Sequence, residues 1–202
     1  MSIYLASRSP RRRELLNQIG VKFEPLLFRE GARADADTSD AVMAGESPDD
    51  YVRRVTQLKA EAAWQRVVMR RGLQRKAVLT ADTTVALENE ILGKPADKPD
   101  AERILRVLSG SRHRVLTAVA LSFEGRLEMI VSESFVTFSA LDDERITAYV
   151  QSGEPFDKAG AYAIQGRAAV FVERIEGSYS GIMGLPLFET ASLLRKFGIV
   201  VP

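Results

Sequence analysis

The sequence predicts an α/β fold built on a mixed sheet. Three observations carry that expectation. Short apolar extended stretches alternate with segments that open on a cap residue followed by proline, the mark of a helix start. Two stretches, 114–123 and 127–141, flank Glu124-Gly125-Arg126, and the second alternates apolar with polar residues as an antiparallel arm does. The first extended stretch turns tightly into a helix.

Taken in order, "IYLA" (3–6) is a short buried strand. Ser9 caps the next helix and Pro10 takes its first position, so a helix is expected over Pro10–Ile19, stopped by Gly20. "VKFEPLLF" (21–28) is a second extended stretch, and 29–46, rich in Ala, Asp and Gly without periodicity, is a loop. Ser47-Pro48-Asp49-Asp50 opens a long helix that runs to Arg71 before Gly72. "AVLTA" (77–81) is a strand ending at Asp82, and 83–94 is a hairpin with its tip at Glu88–Glu90. A helix follows from Pro99 to Leu108, then the antiparallel pair, then a short helix over 142–152. A strand at 168–175, a glycine-rich loop at 176–184 and a helix over Pro186–Phe197 close the chain. No repeat, low-complexity tract or clear linker interrupts residues 1–202, so one domain is expected; two lobes with a cleft fit it, but no boundary is marked.

Composition narrows the function. With 202 residues, 46% hydrophobic and 27% charged, the chain has ordinary globular composition and can bury a sizeable core. The apolar runs are far too short to span a membrane, and the N-terminus lacks the pattern of a secretory signal. The absence of cysteine excludes disulfides, thiolate metal sites and a cysteine nucleophile, and a cytoplasmic location fits. A net charge of +1 is too balanced for a protein that tracks duplex nucleic acid, so no stable nucleic-acid partner is expected. A small anionic ligand fits better. The single histidine, His113, excludes a multi-histidine metal site and reads as structural or surface.

The first helix shows where an anion would sit. Arg11, Arg12 and Arg13 occupy its first turn, where the helix dipole favours acids. Ser7, Ser9 and the backbone N–H groups of the turn make an anion site, and Arg11 and Arg12 add forked, charge-assisted bonds; Arg13 reads as solvated. Lys59 follows Val55 by one helical turn, so it is either snorkelling or paired with a buried anion. Asp82 would hold a divalent cation or accept a proton from water; at a strand end it could equally cap a turn. Lys94 and Lys158 lie beside turns, and the Gln165 amide can read a base edge. The chain contains no Walker-type phosphate loop and no dinucleotide-binding glycine fingerprint.

Taken together, "LASRSPRRRELL", "ADTTV", "LGKP", "LSGSRHRVLTAVAL", "DKAGAYAIQG" and "GSYSGIMGLPLFET" resemble, in order and over nearly the whole chain, the Maf family of nucleoside triphosphate pyrophosphatases. The resemblance implies a mixed α/β fold related to inosine triphosphate pyrophosphatases, with a deep cleft between two lobes. It also implies a divalent cation (Mg2+ or Mn2+), a homodimer and a link to cell-division arrest. It puts the catalytic and metal-binding aspartate on Asp82, phosphate binding on Ser7, Arg11, Arg12, Lys59 and Lys94, and substrate choice on Arg11, Thr83 and Gln165. "DKAGAYAIQG" is similar to the branch acting on dTTP and UTP. Members carry an acidic pair after the second strand; here Asp35, Asp37 and Asp40 offer carboxylates without a unique match. Two alternatives stay open: a pyrophosphatase for 7-methyl-GTP or deaminated purines, and a non-catalytic regulator that binds nucleotide or nucleic acid.

Overall fold

A computed structural model describes residues 2–26 and 41–201. Asp35, Asp37 and Asp40 therefore lie outside the described residues. β1 (Ile3–Leu5) is apolar and fully buried, and α1 (Pro10–Gln18) begins at Ser9, whose hydroxyl accepts the Arg12 N–H at 3.4 Å. No acid stands in the first turn of α1. β2 (Phe23–Pro25) is shorter than the apolar stretch around it. α2 (Pro48–Met69) opens on Ser47 with Asp49 and Asp50 in its first turn, and Val52, Val55, Ala60, Ala63 and Val67 make its buried stripe.

β3 (Val78–Leu87) corrects one expectation. The strand does not stop before Asp82 but passes through it, which puts the carboxylate at mid-strand. Thr83, Thr84 and Val85 are β-branched and suit a strand, and β5 (Arg112–Phe123) pairs antiparallel with β3 from Val78 to Ala86. Among the described residues, the opposite edge of β3 is paired only at its ends. β1 pairs parallel at Val78 and Leu79, and β4 (Glu90–Leu92) folds back on Val85–Leu87. Tyr4 N–H donates to Ala77 O at 2.8 Å and Ala6 N–H to Leu79 O at 2.9 Å, so odd-numbered residues turn their main-chain groups to this edge. By the two-residue period, those of Ala81 and Thr83 face the gap.

α3 (Lys98–Leu108) leads into β5, and β6 (Arg126–Phe138) completes the antiparallel pair about the Glu124-Gly125 turn. α4 (Asp143–Gln151) follows, capped by Asp142. Residues Arg167–Phe171 form a 3-10 turn rather than the start of a strand, and β7 is confined to Val172–Glu176. The cause is Glu154, whose carboxylate accepts the N–H groups of Arg167 and Ala168 at 2.9 and 3.3 Å and winds the chain into a helical turn. A short helix, α5 (Tyr179–Ile182), lies inside the glycine-rich loop, and α6 (Leu187–Lys196) ends the fold.

The seven strands form one mixed sheet in the order β2-β1-β3-β5-β6-β7, with β4 beside β3. α2 covers one face, where Val52 packs with Leu116 and Ala118, and Ala63 and Val67 with Tyr4 and Val78. The other face carries two apolar clusters. α1 and α6 pack Leu15, Leu16, Leu193 and Leu194 on Leu79, Ala81 and Val119. α3 and α4 pack Ile104, Leu105, Ile146 and Val150 with Val85, Val115 and Phe138. Met183 touches both clusters.

Candidate active site

A cavity of about 940 Å³ opens beside the middle of β3, where no described residue continues the ladder. Its walls are the turn before α1, the middle of β3, the segment 157–165 and the turn after α5. Ser7, Arg11, Arg12, Lys59, Asp82, Thr83, Lys94 and Gln165 all line it, so these eight candidates come to one place, while Asp35, Asp37 and Asp40 lie outside the described residues. These residues are up to 158 positions apart in the chain, from Ser7 to Gln165.

Lys59 resolves toward pairing. It reaches from α2 to Asp82, with Nζ 2.7 Å from Oδ1, and both side chains are largely covered. On the opposite side of the strand, Arg12 uses its guanidinium within the protein: Nε donates to Gly184 O at 2.7 Å, Nη2 to Thr83 Oγ1 at 3.2 Å and Nη1 to Ser7 Oγ at 3.4 Å. Burial pulls the Arg12 pKa down from its ordinary value, the charge of Asp82 opposes that, and Arg11 adds to it. Ser7 Oγ also accepts the Ser9 N–H at 3.2 Å, which sets the turn at the helix start. Thr83 Oγ1 lies 3.0 Å from Thr117 Oγ1, which donates to Gly181 O at 2.8 Å. Arg12, β3, β5 and α5 are thus joined by one chain of polar contacts.

The segment 157–166 is held against β3 by a close approach. Gly160 has φ +71°, its N–H donates to Gly93 O at 3.0 Å, and a Cβ there would stand 2.8 Å from Val85. This contact brings Lys94, one residue past Gly93, and Lys158 to the same wall. Lys158 donates to the carbonyls of Glu154 and Phe156 at 2.5 and 3.3 Å, and burial followed by the charge of Arg11 lowers its pKa. Gln165 is exposed at the rim.

Charge sorts sharply. Arg8, Arg11, Arg12, Lys59, Lys94 and Lys158 line the cavity against only Asp82 and Asp157 among the described residues. A polyanion is the ligand class that such a wall attracts. Sequence reasoning noted Lys158 beside its turn but not its place in this wall, and it missed Thr117 and Glu154, whose partners lie far along the chain. His113 is buried in the core, with Nε2 2.9 Å from the Tyr162 hydroxyl and its ring edge-on to Phe138. Burial lowers its pKa to about 4. It is a structural residue.

No helix among the described residues is long and apolar enough to cross a membrane. The model of the family described as "Maf-like protein" matches residues 2–197. A protein of Dechloromonas aromatica named "dTTP/UTP pyrophosphatase" is 54% identical over 198 residues, 98% of each chain. One of the same name from Aromatoleum aromaticum is 60% identical over 97% of this chain and 95% of its own length. Another from Cupriavidus metallidurans is 59% identical over 98% and 97%. With the family model spanning nearly the whole chain and the motif residues gathered around one cationic cavity, this chain belongs to the Maf family.

Proposed function

We propose that the chain hydrolyses dTTP and UTP to the nucleoside monophosphate and pyrophosphate. The observation that carries the chemistry is the Lys59–Asp82 pair set at mid-strand in a cavity walled by cations. The choice of base follows the names of the relatives, which match this chain at 54% to 60% identity from end to end.

In this reading Arg11, Lys59, Lys94 and the N-terminus of α1 hold the triphosphate, and Arg12 fixes the turn that presents Ser7. A water oxygen attacks the α-phosphorus, the bond from that phosphorus to the bridging oxygen breaks, and pyrophosphate leaves with the electron pair. The cations stabilise the charge that grows on it. Asp82 Oδ1 is engaged by Lys59, so Oδ2 is the oxygen that takes the water's proton or meets a metal.

A divalent cation fits this site. Magnesium is bound through one or two carboxylates together with substrate phosphates rather than by an all-protein cage, and Asp82 offers one such carboxylate in the cavity. Asp82 would hold magnesium or manganese, which when bound neutralises phosphate charge and makes a bound water more acidic. A cytoplasmic homodimer completes the reading, and size-exclusion chromatography with light scattering checks the dimer.

The test is a panel of dTTP, UTP, CTP, GTP, 7-methyl-GTP and ITP with magnesium or manganese, assaying pyrophosphate and orthophosphate separately. Pyrophosphate from dTTP and UTP, reduced at least about a hundredfold by Asp82→Asn, is the expected result. Preference for another base would keep the chemistry and change the substrate. Binding without turnover would leave a nucleotide-binding regulator.

A further inference from the structure

The end of α2 carries a cationic surface that the hydrolytic reading does not use. Between Glu61 and Asp82 the chain holds Arg66, Arg70, Arg71, Arg75 and Lys76 and no acidic residue. The helix dipole accounts for Arg66, in the last turn of α2, and for Arg70 at its cap. It does not account for Arg71 and Arg75, which lie beyond the helix, because the effect falls off within a turn. Lys76 pairs with Glu24. On other parts of the surface, Arg103, Arg106, Arg112 and Arg114 each face a carboxylate. Arg70, Arg71 and Arg75 are exposed and form no ion pair among the described residues.

Apolar side chains stand beside these arginines. Val68 is 48% and Met69 77% exposed, while Val67 before them turns inward onto Tyr4 and Val78. None of these residues lines the cavity. Arg70 lies eleven positions past Lys59, about 16 Å along the helix axis at the usual rise. The surface is therefore separate from the nucleotide site. Its two components together match the boundary of an anionic bilayer. Guanidinium forks take lipid phosphates, and apolar side chains enter the edge of the acyl region. A nucleic acid would engage the arginines but leave Val68 and Met69 without a partner, and no aromatic residue in 65–76 offers a face to a base.

We propose that the last turn of α2 and the turn after it form a docking surface for anionic phospholipid headgroups, on which the protein lies without crossing the bilayer. Arg70, Arg71 and Arg75 supply the charge, and Met69 with Val68 supplies the apolar contact.

The experiment floats the full chain with vesicles of phosphatidylcholine alone or of phosphatidylcholine with phosphatidylglycerol, from roughly 50 to roughly 300 mM salt. Binding is expected only where phosphatidylglycerol is present, and it weakens as salt rises. Arg70→Gln/Arg71→Gln/Arg75→Gln lowers the affinity at least about tenfold. Arg103→Gln/Arg106→Gln/Arg112→Gln removes the same charge from paired sites and leaves vesicle binding unchanged. Met69→Ser weakens binding but keeps its salt dependence, a separation that charge alone would not produce. Circular dichroism checks that each variant is folded; if the first triple variant is not, Arg75→Gln replaces it, with an expected loss of about fivefold. Equal losses in the two triple variants, or no binding by wild type at low salt, overturn the proposal. Two further outcomes also overturn it. An oligonucleotide that binds more tightly than the vesicles through the same three arginines gives the surface to nucleic acid. A dimer that light scattering shows to dissociate in that variant gives it to a second copy of the chain. No readout here involves turnover, so the pyrophosphatase reading stands or falls separately.

Discussion

Arg11 and Arg12 stand side by side at a helix start and are used differently. Arg12 spends its donors on Gly184, Thr83 and Ser7, while Arg11 lines the cavity beside it. The sequence marked both through the same signal, a cationic first turn under a serine cap, because that signal is local. It did not reveal Thr117, whose meaning depends on a cross-strand neighbour 34 residues away. His113 makes the clearest residue-scale prediction. Its folded-state pKa is about 4, against an ordinary 6.5 in the unfolded chain. Between those values the unfolded chain binds more protons, so stability rises with pH from about 4 and levels off above about 6.5. His113→Gln keeps a polar partner for Tyr162 and removes the titration. Its loss of stability between pH 6.5 and 4 should be smaller than that of wild type by up to about 3 kcal/mol, read by urea unfolding. Identical pH profiles would show that His113 carries none of the dependence.

The helix starts at Ser9 and Ser47 were the most legible elements, because a serine cap with proline directly behind it is written in consecutive residues. Strand lengths were less so. β3 runs through Asp82 because β5 pairs along it, and that partner lies some 35 positions on. The turn at Arg167–Phe171 read as strand because its cap is Glu154, thirteen residues earlier. The Glu154 carboxylate also accepts the Tyr149 hydroxyl at 2.9 Å. It sits directly against Gly166, where a Cβ would fall 2.3 Å from Oε1. Gly166 has an ordinary φ of −104°, so adding a methyl tests the contact and not the backbone. Gly166→Ala should displace the carboxylate, cost about 1–3 kcal/mol in chemical denaturation and raise KM for UTP, because Gln165 is the preceding residue. Gly93→Ala, with nothing within 4 Å of the added carbon, is the control. Equal stability in the two variants would show that the Glu154 contact is slack.

At the scale of the whole molecule, the α/β class and the mixed sheet were legible from the alternation of elements. The position of the cavity was not, since it arises where two strands, β1 and β4, share one edge of a third and fail to meet. In a chain of net charge +1, this wall carries Arg8, Arg11, Arg12, Lys59, Lys94 and Lys158 against Asp82 and Asp157, so its excess of positive charge is local. The split edge has one more effect. Among the described residues, the peptide N–H and C=O groups of Ala81 and Thr83 belong to no ladder on that side, and no side-chain substitution deletes them. Alanine scanning is blind to this part of the wall, but isotope labelling is not. In deuterated water these two amides should exchange readily in the free protein and slow when a non-hydrolysable imido analogue of UTP is added. If their rates stay unchanged at saturation, the nucleotide stops short of the strand.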